Sequence, residues 1–107
     1  MTYNPEYTED EPSVEYIESL VGFTVLEFGA PWCEFCQAAK PLVKDVLADR
    51  SDLEHVKVYD GKGKRLGRAF QVKLWPTLIA LRNGKEQARV VRPTSTDELT
   101  ELLDALK

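Results

Sequence analysis

Cysteine and histidine, the usual ligands of structural zinc, are scarce in this chain, which has two cysteines, Cys33 and Cys36, and one histidine, His55. A structural zinc site needs four Cys or His ligands, so these three residues cannot complete one within a single chain. We therefore expect no metal site within the chain. Two other roles for the cysteines are open alternatives: a metal site shared between chains, and a pair of chemically inert thiols. A Cys33–Cys36 disulfide would add at most about 2 kcal/mol of stability, because the loop it closes is very short. Stabilising the fold is thus a weak reason for this pair.

Long apolar segments and early basic residues are also missing. No apolar run approaches the roughly 18 to 20 residues that span a bilayer, so no membrane association is expected. The first residues lack the basic and then apolar pattern of an export signal, which indicates a cytoplasmic protein unless a leader has been removed. Eight acidic residues and no Lys or Arg precede Lys40, and the net charge is −4 with a pI near 5.0. This balance argues against nucleic-acid binding.

The length of the chain bounds its organisation. With 107 residues it can bury a core but cannot hold two ordinary domains, so we expect a single domain over residues 1–107. Residues 1–10 are polar and contain Pro5, and we expect them to form an arm or a weak edge strand. We also expect the protein to be a monomer.

Hydrophobic spacing and turn residues predict the order of the elements. Pro12 suits the first turn of a helix with Asp10 or Glu11 as its cap, and Ser95 with Glu98 matches a capping box. In chain order the predicted elements are a helix from Pro12, a strand at 23–28, a helix at 33–48, a strand at 55–59, a short helix within 62–73, strands at 76–81 and 87–91, and a helix after Ser95.

The connections between these elements predict the type of sheet. A strand, a long helix and a second strand in succession require a parallel pair, because the crossover returns the chain to the starting edge. The Asn83-Gly84 pair instead favours a tight hairpin and therefore an antiparallel pair. The sequence predicts an α/β fold with a central mixed sheet of four or five strands and helices on both faces.

The two cysteines lie where the first predicted strand gives way to a helix. Gly29-Ala30-Pro31 forms the turn, and the helix is expected to begin at Cys33. Free backbone N–H groups and the positive end of the helix dipole stabilise an anion there, which favours the thiolate of Cys33. Cys36 lies one turn further on, within reach of the first sulfur. The pair is therefore interpreted as a redox-active dithiol.

Several further features follow the dithiol in a fixed order. They are Pro41 inside the helix, Trp75-Pro76-Thr77 before a strand, and Asn83-Gly84 in a turn. Together with the segment Val25–Cys36 they resemble the thioredoxin family, over about Val14 to Lys107. The resemblance implies a thioredoxin-like fold and a thiol–disulfide oxidoreductase that reduces protein disulfides with no cofactor other than the redox-active Cys33–Cys36 disulfide.

The resemblance also implies a role for each cysteine. Cys33 would be the nucleophile that forms a mixed disulfide with the substrate, and Cys36 would resolve it. Pro76 would follow a cis peptide bond and pack beside the sulfurs, so that the backbone near Trp75 can pair with an extended substrate. The alternative is a strand-start proline with a trans bond.

The partners expected from the resemblance are protein disulfide substrates, and a reductase or glutathione as the electron donor. A second hypothesis belongs to another class of protein. It is a thioredoxin-like interaction or chaperone module, whose groove binds a client while the dithiol serves only as a redox switch.

Glu27 occupies the position where the family usually has a buried aspartate. Burial favours its neutral form, which would let it exchange a proton with Cys36 near neutral pH. Lys57 matches a family lysine and is expected to support the site. In the alternative interpretation the Glu27 side chain turns outward or pairs with Lys57.

Other positions depart from the family pattern. Glu34-Phe35 replaces the family's Gly-Pro between the cysteines, and Arg92 replaces a glycine of a loop at the substrate groove. The Glu34 carboxylate opposes ionisation of the neighbouring thiol, whereas the helix dipole and Arg92 favour it. Trp32 resembles the indole that flanks the active cysteine, with simple core packing as its alternative. The expected substrate-binding residues are Trp32, Trp75, Pro76 and Arg92.

Overall fold

The computed structural model describes residues 3–106. Its helices and strands, in chain order, are α1 (Val14–Ser19), β1 (Phe23–Gly29), α2 (Glu34–Leu47), β2 (Leu53–Tyr59), α3 (Arg65–Ala69), β3 (Thr77–Arg82), β4 (Lys85–Val91) and α4 (Thr96–Asp104). The order agrees with the prediction from the sequence. No helix within residues 3–106 is long and apolar enough to cross a bilayer.

The sheet is mixed, as predicted, and has four strands in the order β2-β1-β3-β4. β1 pairs with β2 in parallel and with β3 antiparallel, and β3 and β4 form the antiparallel hairpin. The segment before α1 does not become a fifth strand. Within the described residues it makes one isolated bridge, in which Thr8 N donates to Lys57 O at 2.8 Å and Tyr59 N donates to Thr8 O at 3.2 Å. We call residues 3–10 the N-terminal arm.

Helices cover both faces of the sheet, which explains why β1 is apolar along most of its length. One face packs against α2 and α4, in a core that includes Val25, Ala39, Val43, Leu78, Leu99, Leu102 and Leu103. The other packs against α1 and α3, in a core that includes Ile17, Leu26, Phe28, Leu66, Ile79 and Leu81. Glu27 is therefore a carboxylate inside the sheet, buried to 2% exposure.

The predicted cap of α1 was wrong. The helix begins at Val14, and the Ser13 hydroxyl accepts a hydrogen bond from Tyr16 N at 3.0 Å. The Glu11 carboxylate instead accepts hydrogen bonds from Arg65 N at 2.7 Å and Leu66 N at 3.1 Å, so it caps α3. Serine and acidic residues are comparable N-caps, and only the approach of α3 decides which of them faces which helix.

Two local predictions are confirmed. Both depend on the conformational preferences of residues that are close together in the chain. Asn83 and Gly84 have φ angles of 50° and 77°, which suit the two central positions of a tight hairpin turn. Ser95 and Glu98 form the predicted capping box at the start of α4. The helix that follows the cysteines starts one residue later than predicted and continues through Pro41.

Candidate functional site: a dithiol between the N-terminal arm and the Trp75–Pro76 loop

Cys33 is the N-cap of α2. Its backbone is extended, with φ −80° and ψ 118°, and its Sγ accepts a hydrogen bond from Cys36 N at 3.2 Å. A backbone donor aimed at the sulfur, at the positive end of a helix, stabilises negative charge there. Both thiols are free, and Cys33 is 8% exposed while Cys36 is 4% exposed. The sulfur at the cap is thus the more accessible of the two.

Cys36 is held as a neutral thiol at ordinary pH. Burial and, to a smaller extent, the hydrogen bond with Cys33 raise the pKa of its thiol to about 12. Hydrogen bonds with the Ala30 backbone and the Tyr7 hydroxyl act in the opposite direction. Because the thiolate is the reactive form, Cys36 needs help from its surroundings when it reacts.

Glu27 is paired with His55, a contact that the sequence analysis did not predict. His55 Nε2 lies 2.8 Å from Glu27 Oε1, and both side chains are almost completely buried. Asn4 N donates to His55 Nδ1 at 2.9 Å, so Nδ1 is an acceptor and the proton of the neutral ring is on Nε2. His55 therefore donates to Glu27. The partner suggested by the sequence is Lys57.

Lys57 lies on the same face of β2 as His55 and is also buried. Its Nζ is 4.5 Å from the centroid of the Tyr7 ring and 3.4 Å from Pro5 O. Burial lowers the pKa of Lys57, while the nearby charge of Glu27 opposes this shift. The ammonium group is thus placed between the N-terminal arm and the sheet, close enough to Cys36 to interact with its charge.

The Trp75–Pro76 loop forms the other wall of the site. The peptide bond between Trp75 and Pro76 is cis, and Trp75 packs against the small cluster that contains Ala30 and the two cysteines. Trp75 Nε1 donates to Asp60 Oδ2 at 2.9 Å, and the ring meets Trp32 edge-on with centroids 5.4 Å apart. Trp32 is 63% exposed, so core packing does not account for it. Its indole is available at the surface beside the dithiol.

Arg92 joins the two sides of this surface. Its guanidinium carbon lies 3.9 Å from the centroid of the Phe35 ring, and its Nε donates to Trp75 O at 2.8 Å. The residue has a φ of 51°, in the left-handed region that favours glycine. The loop geometry therefore explains a glycine preference here, and the two side-chain contacts are what arginine adds.

Sequence reasoning missed Tyr7, His55 and Asp60 as parts of the site. His55 had a weak signal, since it alternates with Val56 along β2 and so shares a face with Lys57. Tyr7 had none, because the N-terminal arm has no periodicity. Among residues 3–106, no group of three or more His, Cys, Asp or Glu side chains is arranged to hold a metal ion.

Comparison with known proteins gives consistent matches. The family model Thioredoxin matches residues 7–105. The structure of thioredoxin 2 from Pseudomonas aeruginosa PAO1 in its reduced form is 48% identical, with a TM-score of 0.86, over 97% of this chain and 96% of that one. Thioredoxin from Chlamydia pneumoniae is 28% identical over 86% of this chain and 92% of its own length. Thioredoxin H2-1 from rice (Oryza sativa subsp. japonica) is 29% identical over 78% of this chain, which spans only 59% of that longer protein.

Proposed function

The chain belongs to the thioredoxin family and is a thiol–disulfide oxidoreductase, and we propose that it acts as a reductant of protein disulfides through Cys33 and Cys36. The observation that carries this proposal is the pair of free thiols at the start of α2, with the more exposed one at the cap. Its relatives do not favour the interaction or chaperone module as the main role.

The two cysteines divide the reaction into two exchanges. The Cys33 thiolate attacks one sulfur of the substrate disulfide, and the other substrate sulfur leaves and takes up a proton. Cys36 then loses its proton, and its sulfur attacks that of Cys33. The second substrate sulfur leaves and is protonated in turn. The substrate has gained two electrons and two protons, and the protein holds a Cys33–Cys36 disulfide.

Glu27 is proposed as the group that exchanges the proton of Cys36, with Lys57 as a supporting charge. Glu27 is two residues before Gly29 on β1, so both point to the face of the sheet where Cys36 lies. The hydrogen bond from His55 holds the carboxylate in one orientation. A buried carboxylate with a fixed orientation is a suitable general base.

Trp32, Trp75 and Pro76 are proposed to bind the substrate, and Arg92 belongs to the same binding surface. The exposed indole of Trp32 offers apolar contact area, and the cis bond before Pro76 turns the backbone beside the dithiol. Arg92 is proposed to act as a selector, because it already occupies Trp75 O, a backbone group that an extended substrate could use. A substrate that displaces the Arg92 hydrogen bond must replace it with a hydrogen bond of its own to Trp75 O.

We further propose that residues 1–107 act as a single domain and a monomer in the cytoplasm, with a reductase or glutathione as the electron donor. The match of the family model to residues 7–105 supports one functional unit. A cytoplasmic location suits the reducing direction, because thiols are kept reduced there.

The reduction potential of the Cys33–Cys36 pair tests the proposed direction. Equilibration against a series of glutathione redox buffers should give a reduction potential of about −270 mV, the value of a reducing thioredoxin. The same protein should accelerate the reduction of insulin by dithiothreitol. A potential near −120 mV, on the order of that of strongly oxidising family members, would contradict the proposal.

Replacement of Arg92 by glycine is expected to increase the rate of insulin reduction, roughly fivefold to tenfold, because about 1–1.4 kcal/mol of competing contact is removed. Stability should change little. Loss of the contact with the Phe35 ring costs about 0.5–1 kcal/mol, and relief of the left-handed backbone returns a similar amount. The measurement is kcat/KM for insulin together with thermal unfolding.

Arg92→Asn is the matched control, since asparagine tolerates the left-handed conformation but lacks the guanidinium. It should be as fast as Arg92→Gly. If both variants reduce insulin more slowly than the wild type, Arg92 is a direct substrate contact instead of a selector.

A further inference from the structure

We propose that the Tyr7 hydroxyl is a catalytic group of the second exchange, donating a hydrogen bond to the Cys36 sulfur as that sulfur becomes negative and attacks Cys33. The proposal rests on the proposed function of the dithiol. It assigns to the N-terminal arm a role in the chemistry, in addition to its contacts with β2.

The geometry centres on Gly29, the last residue of β1. A Cβ atom on Gly29 would lie 2.7 Å from Cys36 Sγ and 2.9 Å from the Tyr7 hydroxyl oxygen. The thiol and the phenol therefore meet over the same residue, in the space that a side chain would otherwise fill. Any side chain at position 29 would separate them.

The Tyr7 ring is held in this position from several sides. Lys57 Nζ lies 4.5 Å from its centroid, and the Tyr59 ring meets it edge-on with centroids 6.3 Å apart. The next residue, Thr8, is bonded to β2 through the bridge with Lys57 O and Tyr59 N. These contacts hold the Tyr7 hydroxyl in a fixed position against the sheet. A catalytic hydrogen-bond donor needs this kind of pre-organisation.

An open cleft connects this contact with solvent. It has a volume of about 360 Å³ and runs between the N-terminal arm and the start of α2. Tyr7, Cys36, Lys57 and Tyr59 line it, together with Lys40 and Glu6. Trp75 does not line this cleft, so protons can reach or leave the buried thiol by a path separate from the Trp75 surface.

Tyr7 acts as a donor in this step and keeps its own proton. Burial raises the pKa of its phenol, and the negative charges of Cys36 and Glu27 raise it further. When Cys36 loses its proton to Glu27, the sulfur bonds to Cys33, the bond from Cys33 to the substrate breaks, and the substrate thiolate is protonated. The Tyr7 O–H stabilises the transient charge on Cys36, as a donor in an oxyanion hole does.

The polar and ionisable groups around Cys36 determine how the rate of the second exchange depends on pH. They are Tyr7 on the arm, Cys33 at the cap, Lys57 on β2 and the Ala30 backbone. Glu27 on β1 interacts with both Tyr7 and Lys57. Among these, Tyr7 is the one neutral side chain that can donate a hydrogen bond to the sulfur without itself titrating near neutral pH.

The test is stopped-flow reaction of the fully reduced protein with the chromogenic disulfide dithiobis-nitrobenzoate. Attack by Cys33 releases one coloured thiol in a phase that depends on reagent concentration, and attack by Cys36 releases the second in a phase that does not. In Tyr7→Phe the second phase should slow about tenfold, the scale of one hydrogen bond to a charged group. The first phase should stay within about twofold of the wild type, because Tyr7 acts after it.

Tyr3→Phe is the matched control. Tyr3 lies on the same arm with its ring near Lys57, and its buried hydroxyl has no hydrogen-bond partner. Both phases should match the wild type in this variant. The second phase of Tyr7→Phe should also require a higher pH to reach a given rate, because the Cys36 thiolate is less stable without the donor.

Three results would overturn the proposal. They are an unchanged second phase in Tyr7→Phe, an equal slowing of both phases, and an equal effect of Tyr3→Phe.

Titration of the Cys36 thiolate absorbance in a Cys33→Ser background provides a second measurement. Its midpoint should move to higher pH when Tyr7→Phe is added, and the absence of this shift contradicts the proposal as well. A wild type that shows no second phase would refute the dithiol mechanism itself, which is a separate outcome.

Discussion

Replacement of Cys33 by serine is expected to reduce insulin reduction to the background rate of dithiothreitol alone, a loss of at least ~1,000-fold, the scale seen when a covalent nucleophile is removed. The reason is chemical. A serine hydroxyl is not ionised at neutral pH and does not attack a disulfide, and Cys36 cannot substitute for Cys33. Cys36 is 4% exposed, and burial raises the pKa of its thiol to about 12.

The matched variant Cys36→Ser should lose turnover to a similar extent but for a different reason. Cys33 can still attack, and the mixed disulfide that forms has no resolving thiol. Covalent complexes with a disulfide substrate should therefore accumulate in Cys36→Ser and be absent in Cys33→Ser, as seen on non-reducing gels. If Cys33→Ser formed the complexes instead, the roles of the two cysteines would be reversed.

Replacement of His55 by phenylalanine is expected to lower the free energy of unfolding by about 3 kcal/mol, because it leaves a buried carboxylate without its hydrogen bond. Phenylalanine is larger than histidine, so a cavity does not explain the loss. His55 Nε2 is 2.8 Å from Glu27 Oε1, and the Glu27 side chain is only 3% exposed. The expected fall in Tm is roughly 10 °C or more for a chain of this size.

A double-mutant cycle separates this pair from general packing. Glu27→Leu with His55→Phe removes both polar partners together, and apolar replacement of both members of a buried pair is often nearly neutral. The double variant should regain at least half of the stability lost in His55→Phe. Purely additive effects of the two single changes would mean that the Glu27 contact does not couple the residues.

The functional readout of the same variants distinguishes stability from catalysis. Glu27→Leu with His55→Phe should fold yet resolve mixed disulfides slowly, since the proposed proton acceptor is gone. Glu27 is thus expected to matter for stability mainly through His55, and for the reaction through Cys36. The first role depends on the contact with His55, and the second on the proposed proton exchange with Cys36.

Local chemistry explains which features could be predicted from the sequence. The turn at Asn83-Gly84, the capping box at Ser95 and the position of Cys33 at the start of a helix depend on residues within a few positions of one another. The type of sheet followed from the connections between strands. The dithiol was visible because its two members are neighbours in the chain.

Contacts between distant segments could not be predicted in the same way. Tyr7 and Cys36 are brought together over Gly29 by the N-terminal arm, which has no repeating pattern. Glu11 caps α3 instead of α1 because tertiary packing brings it to Arg65. Arg92 reaches both Phe35 and Trp75 O only once the first turn of α2 and the segment before β3 lie side by side.

The sequence by itself determined the fold class, the order of the elements and the position of the reactive pair, because spacing, caps and turns are local properties. The tertiary structure alone decided that Glu27 pairs with His55, that Trp75 donates a hydrogen bond to Asp60, and that the Tyr7 hydroxyl faces the buried sulfur of Cys36. The physical reason is that these side chains come from separate segments. Their distances depend on how the sheet, the N-terminal arm and the Trp75–Pro76 loop pack together.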